Sequence, residues 1–358
     1  MLGAMQNWPL LCTRIIDHAA LLHPGRTVLT RSVEGPMHTI TYAELRRRSL
    51  QCAKRLEKHG IVHGDRVATL AWNTWRHMEV WYGLLGLGAI YHTVNPRLFH
   101  DQIAWIINDA EDRLLFVDLT FVPIIEKIAH ELPTLEKVIV LTDAAHMPAT
   151  TIPNAVDYES WLAEADDDFA WKSFDENTAA GLCYTSGTTG NPKGVVYSHR
   201  SNVLHAFQAS QMDMFGCGSR DVIMPVVPMF HANCWSLAFT APMVGASLVM
   251  PGAKLDGASV YEMLEVGRVS LTAAVPTVWQ MLLGYMESKQ LRLSHLKRVI
   301  IGGAACPRAM TEKFEKVYDV RVAHAWGMTE TSPLGTICGL KPETADLDIE
   351  AQIGRAHV

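Results

Sequence analysis

The sequence predicts an α/β fold organised around two parallel sheets. Three observations carry that expectation: short, wholly apolar runs recur along the chain, helical patterns separate them, and one polar stretch interrupts the alternation near the middle. A strand in a parallel sheet is covered on both faces, so it reads as a continuous apolar run instead of an alternating one.

From the N-terminus, Thr41 and Glu44 form the T-x-x-E pattern of a capping box ahead of an amphipathic helix through Leu45, Leu50, Ala53 and Leu56, which ends near Gly60. A Gly64-Asp65 turn leads into a strand over 67–71, Trp75 to Leu87 reads as a second helix, and Asn95-Pro96 opens a loop toward a helix near Gln102. Further strands are expected over 114–117, 138–141, 181–185, 222–226, 248–250, 271–275 and 299–303. Residues 143–176 are polar, acidic and weakly periodic, so they read as a connector between two α/β halves.

Composition narrows the function. With 358 residues, 49% hydrophobic and 19% charged, the chain has ample core for about two domains. A formal charge of −6 and a pI near 6.2, without a basic run, argue against a nucleic-acid-binding face. Seven scattered cysteines without a C-x-x-C pair suggest reduced thiols, not a disulfide framework or zinc site. The first residues lack the pattern of a secretory signal, and the long uncharged region 222–253 is broken by Pro225, Pro228, Pro242 and Pro251, so the expectation is a cytoplasmic protein without a membrane span.

Residues 184–199, YTSGTTGNPKGVVYSH, concentrate the chemistry. Gly187, Gly190 and Gly194 can enter positive φ and turn backbone N–H groups toward one anion. Thr185, Ser186, Thr188 and Thr189 add rotatable hydroxyls, and Lys193 adds a mobile positive charge. Such a loop suits a polyphosphate. It is not a Walker loop, because Pro192 precedes Lys193 and Gly194 follows it where a hydroxyl residue is required. Tyr184 stands where a nucleophile elbow needs glycine, and Gly86-Leu87-Gly88 lacks the third glycine of a dinucleotide fingerprint.

The run YTSGTTGNPKG resembles the phosphate loop of the adenylate-forming superfamily, which comprises acyl-CoA synthetases, adenylation domains of peptide synthetases and firefly-type luciferases. PMFHANCW (228–235) resembles its acyl-pocket segment, IIGGAACP (300–307) its adenine turn, and HAWGMTETSP (324–333) its [YW]-G-x-T-E segment, all in family order. The resemblance implies two parallel-sheet α/β subdomains of an acyl-CoA synthetase N-terminal domain, packed as layered αβαβα over 1–352. It further implies that a following barrel-like subdomain is incomplete, that a mobile C-terminal domain is absent, and that 353–358, where Ala356 replaces an expected proline, form a non-native tail.

The implied reaction is attack of a carboxylate on the α-phosphorus of ATP, then transfer of the acyl group to coenzyme A. By that resemblance Thr185, Lys193, Thr329 and Glu330 are the catalytic candidates. ATP would meet Thr185, Ser186, Gly187, Thr188, Thr189, Gly190 and Lys193 at its phosphates. It would meet Gly302, Gly303, Ala304, Trp326, Gly327, Met328 and Thr329 around the base and α-phosphate. Thr185 and Glu330 are the candidates for magnesium. His231, Trp235, Val227, Met229, Met328 and Leu334 are the candidates for the acyl pocket, with His231 and Trp235 on one face if 231–235 is helical. No aspartate follows His231 in WSLAFTAPM, which favours an aliphatic acid over an amino acid. The alternatives are a luciferase-like enzyme, an amino-acid adenylation domain or a non-catalytic nucleotide-binding protein. The partners expected are the carboxylic acid, ATP and coenzyme A, with a second copy of the chain as a candidate homodimer.

Overall fold

The computed structural model describes residues 3–185, 191–344 and 346–352. After α1 (Thr13–Leu22), the hairpin β1 (Thr27–Arg31) and β2 (Met37–Thr41) runs into α2 (Tyr42–Lys58), where the Thr41 hydroxyl accepts the Glu44 N–H at 3.2 Å. Then follow β3 (Arg66–Leu70), α3 (Trp75–Leu87), β4 (Ile90–Thr93), α4 (His100–Asp109), β5 (Leu114–Val117), α5 (Val122–Ile128) and β6 (Lys137–Val140). The short β7 (Val156–Asp157) and α6 (Tyr158–Ala163) precede the hairpin β8 (Ala179–Thr185) and β9 (Lys193–Ser198). These strands make a seven-stranded sheet in the order β7-β6-β5-β3-β4-β8-β9, parallel except for its terminal hairpin.

Next come α7 (His199–Ser210), β10 (Val222–Pro225), α8 (Leu237–Val244), β11 (Ser247–Met250), α9 (Gly257–Val266), β12 (Leu271–Ala274) and α10 (Pro276–Ser288). They are followed by β13 (Arg298–Ile301), α11 (Arg308–Glu312), β14 (Arg321–Gly327), β15 (Leu334–Ile337) and α12 (Ile349–Gln352). An eight-stranded sheet results, in the order β15-β14-β13-β12-β10-β11-β1-β2, antiparallel only at its two outer pairs. No closed barrel forms among the described residues.

The apolar runs explain the layering. In β5, Leu114 and Phe116 face the central core while Leu115 and Val117 face the outer core under α4 and α5. In β11, Leu248 and Met250 face that same central core, whereas Val249 packs beneath α9. Helices α1, α2, α3 and α8 fill the space between the two sheets, and α9 and α10 close the far side. The result is the αβαβα stack expected from the sequence. Among the described residues, no helix is long and apolar enough to cross a membrane.

Two local expectations need correction. The 143–176 stretch does not join two halves: the chain changes sheet between β2 and β3 and again between β9 and β10. The stretch instead adds β7 to one sheet and buries Tyr158, Trp161 and Leu162 through α6. Its Trp171 lies on Gly86, where any Cβ would come within 2.1 Å of the indole. Gly88 then ends α3 in the left-handed conformation at φ +77, so the G-L-G sequence is packing plus a helix cap. The strand expected over 299–303 stops at Ile301, freeing Gly302 and Gly303 for a turn beyond the C-terminal end of β13.

Candidate active site

Of the stretch expected to hold a polyphosphate, Thr185 ends β8 and Lys193 opens β9. Thr185 pairs with Lys193 in the ladder, and the Thr185 hydroxyl donates to the Lys193 carbonyl at 3.4 Å. The Lys193 side chain is exposed at the first position of β9. Ser186, Gly187, Thr188, Thr189 and Gly190, expected to cradle phosphate, lie outside the described residues. Gly194 does not belong to an anion nest: it is a β9 residue whose missing side chain lets Leu182 pack at 3.0 Å from the Cβ position.

A second element enters from the end of β10. Asn73, at the turn between β3 and α3, clamps it: the Asn73 amide donates to the carbonyls of Pro225 at 2.8 Å and Val227 at 2.9 Å, and its oxygen accepts the Met229 N–H at 2.7 Å. This fixes Val227 and Met229 in the core, 2% and 0% exposed, so neither lines the pocket formed beyond them.

Beyond His231 the chain does not form a right-handed helix. Ala232, Asn233, Cys234, Trp235 and Ser236 all have positive φ, from 46° to 65°, and make a left-handed turn before α8. L-residues there cost about 1–2 kcal/mol each, hence on the order of 5–10 kcal/mol for the turn, somewhat less because asparagine tolerates the region. Buried partners hold it in place. Asn233 is 1% exposed and hydrogen-bonded to Tyr91 and Asn202, while the Cys234 thiol donates to the Val227 carbonyl at 3.2 Å. With those two residues turned into the core, His231, Ala232 and Trp235 line a pocket.

That pocket, about 70 Å³ and open on one side, brings together nine of the residues singled out in the sequence. His231 and Trp235 meet Gly302 and Gly303 after β13, and Trp326, Gly327, Met328, Thr329 and Leu334 from the β14–β15 connection. Ala325 and Pro333 join them without having been anticipated, whereas Ala304, Thr185, Lys193 and Glu330 lie outside the lining. The Gly302 Cα faces the Trp235 indole: a Cβ would stand 2.9 Å from its Cη2 and 2.8 Å from the Ala325 carbonyl oxygen. Gly303 needs its φ of +77° for the turn itself. Spacing alone would make Trp326 a core residue, yet it is 53% exposed beside the pocket, a ring surface free to stack.

Two buried side chains, which no local pattern marked, brace this wall. Tyr197, 2% exposed on β9, donates its hydroxyl to the Thr329 carbonyl at 2.7 Å. One bond thus ties β9, the strand that Lys193 opens, to the turn carrying Thr329 and Glu330. Burial raises the phenol pKa, so it remains a donor at any working pH. From α7, His205 Nε2 accepts the Leu334 N–H at 3.1 Å, which requires the proton on Nδ1. Burial pushes that imidazole down to about 4, and it stays neutral.

The electrostatics leave two groups free for a charged ligand. Glu330 is exposed and, among the described residues, makes no hydrogen bond or ion pair, although its charge raises the pKa values of Cys183 and Tyr197 beneath it. No three histidine, cysteine or acidic residues gather into a metal cage among the described residues. A lone exposed carboxylate is nevertheless compatible with magnesium, which keeps phosphate oxygens and waters as its other ligands. His231, open to the pocket, has its pKa lowered first by desolvation and then by the charge of Arg97.

Comparison with known proteins agrees with this geometry. The chain is 44% identical over 352 residues to 3-methylmercaptopropionyl-CoA ligase of Ruegeria pomeroyi, covering 98% of this chain and 65% of that protein. It is 44% identical over 336 residues to medium-chain-fatty-acid–CoA ligase of Ectopseudomonas oleovorans (94% and 62%), and 42% over 319 residues to long-chain-fatty-acid–CoA ligase of Thermus thermophilus (89% and 57%). The chain therefore spans less than two thirds of the length of these relatives. Among solved structures, the anthranilate CoA ligase AuaEII in complex with anthranoyl-AMP matches with a TM-score of 0.84 at 22% identity, covering 96% of this chain and 65% of that one. The long-chain-fatty-acid-CoA ligase FadD1 of Archaeoglobus fulgidus matches at 0.82 and 22% (98% and 70%), and both matches speak for the fold alone. The AMP-binding enzyme family matches residues 16–357, and the chain belongs to that family.

Proposed function

We propose that this chain is the nucleotide- and acyl-binding part of an AMP-forming acyl-CoA ligase acting on an aliphatic carboxylic acid. One observation carries the reading: a single pocket is bounded by the His231–Trp235 turn on one side and by Gly302, Trp326 and Thr329 on the other, so an acid and a nucleotide would meet there. The relatives at 42–44% identity are named as acyl-CoA ligases, which supports the same chemistry.

The ligand's base lies along Gly302 and Gly303 and stacks on Trp326. The triphosphate runs toward the β8–β9 hairpin, where Lys193 neutralises the departing pyrophosphate. The Thr329 hydroxyl donates to the α-phosphate, and His231 sits at the carboxylate end of the acid. A carboxylate is already ionised near neutral pH, so His231 need only orient it. Its oxygen attacks the α-phosphorus, the bond to pyrophosphate breaks, and an acyl-adenylate forms. The coenzyme A thiolate then displaces AMP to give the thioester. Magnesium, when bound, supplies further neutralisation of phosphate charge; Glu330 and Thr185 are the residues that would hold it. Trp235, Met328 and Leu334 provide the apolar wall for the acyl chain. Free, mostly buried cysteines support a reducing compartment, and we place the enzyme in the cytoplasm.

Pyrophosphate exchange by the full-length protein, measured against a panel of acids, tests this reading. Exchange driven by aliphatic acids, followed by thioester formation, is the expected result. Exchange driven only by amino acids would transfer the protein to the peptide-synthetase branch. Nucleotide binding without acid-dependent exchange would make it a non-catalytic binding protein.

A further inference from the structure

Behind the pocket lies a ring of hydrogen bonds that the proposed reaction does not use. The Tyr91 hydroxyl donates to Asn233 Oδ1 at 3.0 Å, Asn233 Nδ2 donates to Asn202 Oδ1 at 3.0 Å, and Asn202 Nδ2 donates back to the Tyr91 oxygen at 3.3 Å. All three side chains are buried, at 0%, 1% and 0% exposure for Tyr91, Asn233 and Asn202. The two amides are locked to one another. Flipping Asn233 alone would set its Oδ1 against Asn202 Oδ1, and flipping Asn202 alone would set its Nδ2 against Asn233 Nδ2, so the ring closes only with both amides turned in the same sense.

Each member stands on a different element. Tyr91 belongs to β4 of the seven-stranded sheet, where its ring stacks on Trp81 at 4.3 Å. Asn202 belongs to α7, and Asn233 to the left-handed turn. Three hydrophobic side chains could fill the same volume, but they could not dictate the rotation of the 233 peptide. Asn233 is the member of the turn that accepts positive φ most readily, and it is also the member fixed in direction from two sides. Two residues further on, the Trp235 indole lies against Gly302. A turn relaxing toward the right-handed region would carry that indole off the glycine and change the depth of the pocket.

We propose that the Tyr91–Asn202–Asn233 ring is a positioning device for Trp235 and thereby sets which acyl chain lengths the pocket accepts. The inference rests on the acyl-ligase reading above. None of the three residues lines the pocket, so their effect must travel through the turn.

The test uses the full-length enzyme and its kcat/KM for butanoate against octanoate. Tyr91→Phe removes one hydroxyl at nearly constant volume and opens the ring. Asn233→Gly removes the ring member while keeping positive φ inexpensive. Both should change the butanoate-to-octanoate ratio by about fivefold or more, while the KM for ATP moves less than about twofold. In a Trp235→Phe background the same two changes should leave the ratio where Trp235→Phe alone puts it, the non-additivity of a shared route. Tyr42→Phe is the control, because it deletes another buried tyrosine hydroxyl bond, to the Ala246 carbonyl, that involves no residue of the turn; it should lower stability and leave the ratio alone. An unchanged ratio in Tyr91→Phe, alongside a stability loss like the control's, would reduce the ring to a structural role and overturn the proposal. Tyr91→Phe, the milder change, decides alone should Asn233→Gly not fold. A wild-type enzyme inert toward every aliphatic acid would instead overturn the ligase reading beneath it.

Discussion

Replacing Tyr197 with phenylalanine isolates one atom that joins the two halves of the proposed nucleotide site. The ring stays in place, but the Thr329 carbonyl loses the donor that meets it at 2.7 Å. Tyr197 is 2% and Thr329 7% exposed, so water has little access to repair the loss. An unpaired buried acceptor costs about 1–3 kcal/mol. If that cost appears as release of the turn, the balance between held and released positions of Thr329 and Glu330 moves by about 5- to 150-fold. Adenylation should slow within that range. The KM for the acid should change little, because the acyl wall at Trp235 and Leu334 is not braced by this bond. Pyrophosphate exchange with ATP varied at saturating acid measures the effect, and urea unfolding measures the stability cost separately. Wild-type exchange rates accompanied by a 1–3 kcal/mol loss of stability would refute the reasoning, since the bond would then hold the fold and not the site.

Lys193→Ala and Glu330→Ala should each slow adenylation by at least about tenfold while changing stability by under about 0.5 kcal/mol, because both side chains are exposed; unaltered exchange would remove them from the site. Gly302→Ala places a methyl 2.9 Å from the Trp235 ring and 2.8 Å from the Ala325 carbonyl oxygen, so it should weaken binding of an acyl-adenylate analogue by about tenfold or more, as read by calorimetry. Burial lowers His77 to about 4. The unfolded chain takes up that proton near pH 6.5 and the folded chain resists, so this contribution is complete above pH 6.5 and is lost as pH falls toward 4. His77→Gln should flatten the dependence of unfolding free energy on pH in that window by up to ~1.4 kcal/mol per unit. Asp118 is raised to about 7 by burial and has the opposite sign: its stabilisation is complete below about pH 4 and lost as pH rises toward 7. Asp118→Asn should therefore steepen the same curve, and equal slopes in wild type and both variants would contradict the two assignments.

The framework was readable wherever a local rule and the global fold agree. The Thr41 cap, the Trp75–Leu87 helix and the LLFV strand at 114–117 all fall where sequence spacing puts them. Each is settled by neighbours within a few residues. The connector was misread because its anchors, the buried Tyr158 and Trp161 and the half-buried Trp171, are sparse among acidic residues, and single large aromatics leave no period to detect. Val227 and Met229 show a different limit. Apolar residues next to a motif carry no sign of the side they face, and that side is decided by Asn73, more than 150 positions away.

The left-handed turn marks where local inference must fail. No propensity would assign positive φ to Ala-Asn-Cys-Trp-Ser, and the one-face pairing of His231 with Trp235 was reached on the premise of a right-handed helix. Both residues do face one pocket, but the cause is the reverse of that premise: Asn233 and Cys234 are drawn into the core, and His231 and Trp235 are left at the pocket. The partners that draw them in stand 31, 142 and 7 positions away, at Asn202, Tyr91 and Val227. A strained segment persists only when its surroundings over-determine it. Here the surroundings are contributed by both sheets and the helix layer between them, so the His231–Trp235 end of the pocket can take its shape only once the whole stack is assembled. Substitutions at the ring should accordingly alter selectivity without touching a ligand, whereas substitutions at Lys193 or Glu330 should act on the phosphates directly.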